Sequence, residues 1–197
     1  MNTFKIKNLT FEYFIHTHNN TGANERIVEL PLGFYFNDKY PEKTTLIEIG
    51  AVLPYYIPIS HKVYDPYDSW SGSDRTNIFN VDFKNKNILS ISTIEHIGLA
   101  DFNNKELDNM LGFKLLQKVV NESKEYLITF PIGYNLTLDK AVQDNKEFKI
   151  FGIGRTGLQN CWAIEPCNDT FFKSKYNQPL PFANKICIVT NLKEFYE

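Results

Sequence analysis

The chain predicts an α/β fold, a doubly wound and mostly parallel seven-stranded sheet with helices on both faces. Two observations carry this. Short β-branched runs alternate with longer stretches of helical period, and alternation of that kind builds a parallel sheet through right-handed crossovers. The strongest run, Ile88 to Ile94, also passes directly into Glu95, His96 and Gly98, as an α/β fold presents chemistry at the carboxyl end of a strand. At 197 residues the chain suits one well-buried core.

Taken in order, residues 1–23 mix aromatic strand-like runs with the turn cluster His18 to Gly22 and read as an arm or lid. Residues 24–197 read as the single domain. Asn24 is a helix N-cap, and Ile27, Val28, Leu30, Leu32 and Phe34 supply the apolar face of a helix that Pro31 should kink and Asn37 to Pro41 should end. Residues 44–50 form a buried strand leaving into a glycine turn, and 61–65 a second strand ended by Asp65-Pro66. A loop over 69–77 precedes a weak third strand, 78–83, and the strong fourth, 87–93. Leu107, Met110, Leu111, Leu115, Val119 and Val120 mark a helix within 104–124. A strand over 126–130, a short helix over 136–145 and strands over 148–153 and 185–190 complete the pattern.

Composition excludes several function classes. With 43% hydrophobic and 22% charged residues the chain is neither disordered nor fibrous, and a net charge of -2 without a dense Lys/Arg stretch argues against a nucleic-acid partner. No apolar run reaches the length of a membrane span and the N-terminus lacks a signal-peptide pattern, so a cytoplasmic location is expected. Cys161, Cys167 and Cys187 are spaced as free thiols. His16 and His18 would share one strand face as two metal ligands could, but no third ligand is evident and no metal is expected.

The remaining motifs fall at strand ends. Glu48-Ile49-Gly50 closes the first strand, Asp65 the second, Asp82 the third, and Ser92-Thr93-Ile94-Glu95-His96 the fourth. Together with the segments "IEIG", "LPYY", "DPYD", "SISTIEHIG" and "ITFPIGYN", this order resembles the class I S-adenosylmethionine-dependent methyltransferases over roughly residues 24–190. Within that superfamily it is similar to small methyltransferase-like proteins associated with bacterial surface-glycan biosynthesis. The resemblance implies a Rossmann-like methyltransferase fold and S-adenosyl-L-methionine as cofactor. The implied acceptor is a small molecule, a sugar or nucleotide-activated sugar methylated on a hydroxyl.

Carried onto this chain, the resemblance makes Glu48, Gly50, Asp65, Asp82 and Ser92 cofactor contacts. Gly50 lets the backbone approach the ligand, Glu48 faces its ammonium, Asp65 accepts from the ribose hydroxyls and Asp82 receives the adenine amino group. Each has a structural alternative: an ion pair for Glu48, an Asp-Pro turn for Asp65, a loop cap for Asp82. His96 is the expected general base, with Glu95 orienting it or binding a hydroxyl. Tyr134, Asn135 and Arg155 are expected to hold the acceptor, Arg155 as a bidentate clamp, although Gly152 to Gly157 also reads as a hairpin turn. Trp162 and Tyr176 read as packing residues. The turn Gly50-Ala51-Val52-Leu53-Pro54 lacks two of the glycines usual in the superfamily, and Val52 and Leu53 would crowd a ligand unless the loop bends outward. That departure keeps open a retired fold serving as a binding or scaffold subunit. A dinucleotide-dependent dehydrogenase is disfavoured by the absence of GxGxxG.

Overall fold

The computed structural model describes residues 3–100 and 108–197. A seven-stranded mixed sheet forms its centre, in the order β4-β3-β5-β6-β9-β7-β8. The strands are β3 Leu46–Ile49, β4 Lys62–Tyr64, β5 Asn87–Ile91, β6 Glu125–Pro131, β7 Ile150–Thr156, β8 Cys161–Glu165 and β9 Lys185–Thr190. The pairs β3/β4, β3/β5 and β5/β6 are parallel, whereas β6/β9, β9/β7 and β7/β8 are antiparallel. The expectation of a mostly parallel sheet is therefore corrected to an even division. Antiparallel pairing enters because β9 returns between β6 and β7, and because β7 and β8 are joined by a short turn through Gly157.

Alternate residues of the central strands enter two cores. Ile88, Ile128, Phe130, Cys187 and Val189 face one side and pack with Leu115, Leu116 and Val119 of helix α2 (Leu111–Glu122) and with Leu138 and Val142 of α3 (Leu136–Asp144). Leu89, Ile91, Leu127, Ile186 and Ile188 face the other and meet Ile27, Val28, Leu30, Leu32 and Phe36 of α1 (Arg26–Lys39). This period-two division lets one strand serve two helical layers. A fourth helix, α4 (Asp169–Phe172), adds Phe171 and Phe172 to the first core.

The first predicted helix begins one residue late, with Glu25 in place of Asn24 at the N-cap, Asn24 Oδ1 accepting from Arg26 N and Pro31 lying inside α1. The predicted third strand is absent. Residues 78–80 form one 3₁₀ turn capped by Asn77, Asp82 Oδ1 accepts from Lys84 N, and Asn85 has a φ of 59°, so turn chemistry overrides the apolar pattern. Ile78, Val81 and Phe83 still bury into the first core. The seventh strand is instead β8, where Trp162 is buried while Ala163 and Ile164 face out. Residues 101–107, including the predicted start of the second long helix, lie outside the described residues.

The segment expected as an arm starts with an antiparallel hairpin, β1 Thr3–Ile6 and β2 Leu9–Glu12. Phe4, Ile6 and Phe11 join the second core, tying the hairpin to the domain by apolar burial. A 3₁₀ segment, His18–Ala23, follows and is held by Asn160 Nδ2 donating to the carbonyls of Gly22 and Asn24. His16 and His18 stand against the rings of Tyr56 and Tyr55. Among the described residues, no group of three or more His, Cys, Asp or Glu could hold a metal ion, and no helix is long and apolar enough to cross a membrane.

Candidate functional site

The chain runs from β3 outward to β4, then returns across β3 to β5, so a crevice opens between the carboxyl ends of β3 and β5. A cavity of about 810 Å³ occupies it, lined by Gly50, Ala51 and Val52 after β3, Tyr64 at the end of β4 with Asp65 and Asp68 after it, and Ser92, Thr93 and His96 after β5. That volume falls within the range of roughly 300–1,000 Å³ expected of small-molecule sites. A second cavity of about 190 Å³ adjoins it, sharing Arg26, Ser92 and His96.

Gly50 has a φ of +86°, and a β-carbon built there would stand 2.0 Å from Thr93 Oγ1. Only glycine lets β3 turn away this close to β5. The turn that follows holds itself by carboxylates. Glu48 is fully buried, its Oε1 accepting from Val52 N (2.9 Å) and Leu53 N (2.8 Å) and its Oε2 standing 2.7 Å from His61 Nε2. Glu48 thus braces the turn from below and lines neither cavity. Leu53 is fully buried in the second core, which removes it from the crevice, while Val52 remains on the wall. Asp65 does line the larger cavity. Its Oδ2 accepts from Ala51 N and its Oδ1 from Tyr67 N and Asp68 N, so it locks the ends of β3 and β4 together.

Behind the shared wall lies a buried ion cluster that the sequence reading missed. Glu29 of α1 is fully buried; its Oε1 accepts from Ser92 Oγ and Thr129 Oγ1, both at 2.7 Å, and its Oε2 pairs with Arg26 at 2.9 Å. Burial works against the Arg26 charge, but Glu29, Glu25 and Glu95 outweigh it and hold the guanidinium firmly protonated. A detectable signal was Glu29 itself, a lone acid between Val28 and Leu30 on an apolar helix. Ser92 belongs to this cluster and lines both cavities, at a φ of 37°.

Glu95 and His96 lie in the 3₁₀ turn Ile94–His96 directly after β5. Glu95 is 1% exposed and lines the smaller cavity, and its Oε2 has no hydrogen-bond partner among the described residues. Burial pushes its carboxyl well above the ordinary value, with Glu29 adding in the same direction. Its Oε1 is 3.6 Å from His96 Nε2. The His96 ring meets Tyr134 edge-on at 4.5 Å, and Tyr134 meets Tyr176 at 5.1 Å, so Tyr176 belongs to the site as well as to the packing.

The other expected residues take different places. Asn135 is 3% exposed, caps α3 by accepting from Leu138 N, and donates Nδ2 to the Glu95 carbonyl, which supports the site without lining it. Asp82 is exposed in its turn, and Asn77, Ile78 and Phe79 line the cavity where it was expected. Arg155 lies on β7, opposite Trp162 of β8, and donates to the Pro181 carbonyl; it lines neither cavity. The segment Gly152 to Gly157 is accordingly a strand entering a hairpin turn, the alternative its sequence allowed. Asp68 and Arg75 were not singled out, yet both line the larger cavity. Comparison of the chain with protein-family models, with curated proteins and with solved structures finds no match.

Proposed function

We propose that the protein is an S-adenosylmethionine-dependent methyltransferase that holds the cofactor in the larger cavity and the acceptor in the smaller. The observation that carries this is the meeting of the two cavities at His96, Ser92 and Arg26, beyond the end of β5. Transfer between two small molecules requires such a junction, because reactants held in line gain most of their rate from alignment.

The chemistry of the walls favours this cofactor over a dinucleotide. A pyrophosphate is usually bound by free backbone amides at the helix following the first strand. Here no α-helix follows β3 before β4, and the amides of Ala51, Val52 and Leu53 are already taken by Asp65 and Glu48. Asp65 and Asp68 make the wall suited to a cationic or neutral nucleoside, and Asp65 Oδ2, which accepts only from Ala51 N, keeps a lone pair able to accept from a ribose hydroxyl. When bound, the cofactor supplies an electrophilic methyl group on a sulfonium.

Arg26 stands at the junction as a cation able to meet a carboxylate, anchored from behind by Glu29. His96 is placed to take a proton from an acceptor hydroxyl, and Glu95 to hold that hydroxyl or the imidazole. The polar walls of the smaller cavity, Asn19, Asn24, Glu25 and Glu95, suit a polyhydroxylated ligand. That accords with the sugar or nucleotide-activated precursor of a surface polysaccharide implied by the resemblance.

Titration calorimetry with S-adenosylhomocysteine, with NAD as comparator, tests the reading. S-adenosylhomocysteine is expected to bind and NAD to fail, and Asp65→Ala to weaken the former at least tenfold. Absence of S-adenosylhomocysteine binding by the folded protein would overturn the proposal.

A further inference from the structure

The smaller cavity is walled by rings and acids together. His96, Tyr134, Tyr176 and Phe182 supply the rings, with His96 against Tyr134 at an interplanar angle of 67° and Tyr134 against Tyr176 at 83°, so successive rings form corners around the space. Glu95 and Glu25, 1% and 8% exposed, supply the acids. Neither makes an ion pair with Lys or Arg within 4 Å among the described residues. Arg26 also lines this cavity and its charge acts on both acids from beyond ion-pair distance while it pairs with Glu29, and Arg155, which feels the Glu25 charge, donates to the Pro181 carbonyl. Glu25 Oε2 accepts from Ala183 N, but Glu95 Oε2, on a residue that lines the cavity, is buried and has no hydrogen-bond partner among the described residues.

We propose that this cavity binds a protonated amine, held between the ring faces and the Glu95 and Glu25 carboxylates. The inference rests on the methyltransferase reading only in calling the amine's bearer an acceptor. Within the sugar class expected above, it selects an amino sugar. A hydroxyl would satisfy Glu95 Oε2 yet leave both carboxyl groups without an ion-pair contact and make no special use of the rings. An ammonium does both, since ring faces attract cations and a buried carboxylate needs a counter-charge. Burial pushes both carboxyl groups above their ordinary values, a direction that a cation bound beside them would reverse. With no group of three metal-ligating side chains among the described residues, an organic cation fits these walls better than a metal ion.

Calorimetric titration of the full chain with butylammonium and with butanol tests this, because the pair differs only in ammonium against hydroxyl. Butylammonium is expected to bind and butanol to bind at least tenfold more weakly. Glu95→Gln should weaken butylammonium by about tenfold and Tyr176→Leu by about threefold, in line with a desolvated cation on a ring and its counter-charge. Equal affinity for the two probes, or an unchanged affinity in a Glu95→Gln variant that melts cooperatively, overturns the proposal. If Glu95→Gln does not fold, Tyr176→Leu decides in the same way. Binding of S-adenosylhomocysteine without butylammonium removes this inference alone. Binding of butylammonium without S-adenosylhomocysteine removes the methyltransferase reading and leaves an ammonium site.

Discussion

His96 and Gly50 show how single residues set what the crevice can do. His96 lines both cavities, at their junction with Ser92 and Arg26. If it acts as general base, His96→Ala should lower kcat by roughly 10²–10⁴-fold and leave S-adenosylhomocysteine affinity nearly unchanged. Parent-like turnover in that variant would sink the base role. Gly50 acts through the backbone. Gly50→Ala forces a side chain into a φ of +86° and against Thr93, so it should cost about 2 kcal/mol or more in urea unfolding. An unchanged urea midpoint would show that β3 and β5 can separate without penalty.

Among the elements, α1 does more than cover the sheet. Through Glu29 it grips Ser92 beyond β5 and Thr129 of β6, and it carries Arg26 to the junction of the cavities. Removing one partner of a buried pair leaves the other charge uncompensated, so Glu29→Ala should destabilise the protein by about 3–5 kcal/mol. Adding Arg26→Ala to Glu29→Ala should recover part of that loss, which a double-mutant cycle measures. Strict additivity of the two substitutions would separate Arg26 from the clamp. On the opposite face of the sheet, α3 positions the site by a related device. Asp139 Oδ2 accepts from Gly133 N at 2.7 Å, fixing the backbone that presents Tyr134.

At the scale of the whole molecule, buried acids dominate the pH response near neutrality. Burial raises the Asp139 carboxyl from 3.8 to about 7, against the opposing hydrogen bond from Gly133, and burial raises Glu25 and Glu95 as well. A carboxyl raised on folding binds its proton more tightly in the folded state. Its contribution is complete below pH 3.8 and is lost as pH rises through about 7. Glu194 acts in the opposite sense: hydrogen bonds from Lys39 and Tyr35 outweigh its burial and lower it, so its contribution is lost as pH falls below the ordinary carboxylate range. Urea unfolding should therefore show stability declining between pH 5 and 8. Asp139→Asn, which can still accept from Gly133 N, should flatten that decline. An equal decline in variant and parent would remove Asp139 from the account.

The sequence by itself determined the α/β class, most strands and helices to within a few residues, and the clustering of ionisable residues after β5. Those features are local: β-branched runs, helical period and turn residues act over a few positions, and Ile88 to Gly98 announces a strand entering a turn whatever surrounds it. Tertiary structure decided the rest. Whether β9 lies beside β6 or at an edge depends on pairing partners far apart in the chain, and no local pattern encodes the choice. Glu48, Asp65 and Asp82 all end predicted strands, yet they became a buried brace, a cavity wall and an exposed turn because burial and partners, not residue type, assign a carboxylate its work. Glu29 and Arg26 came to the site for the same reason: a helix that precedes every strand of the central sheet folds back across β5 and β6, and only that contact gives their charges something to hold.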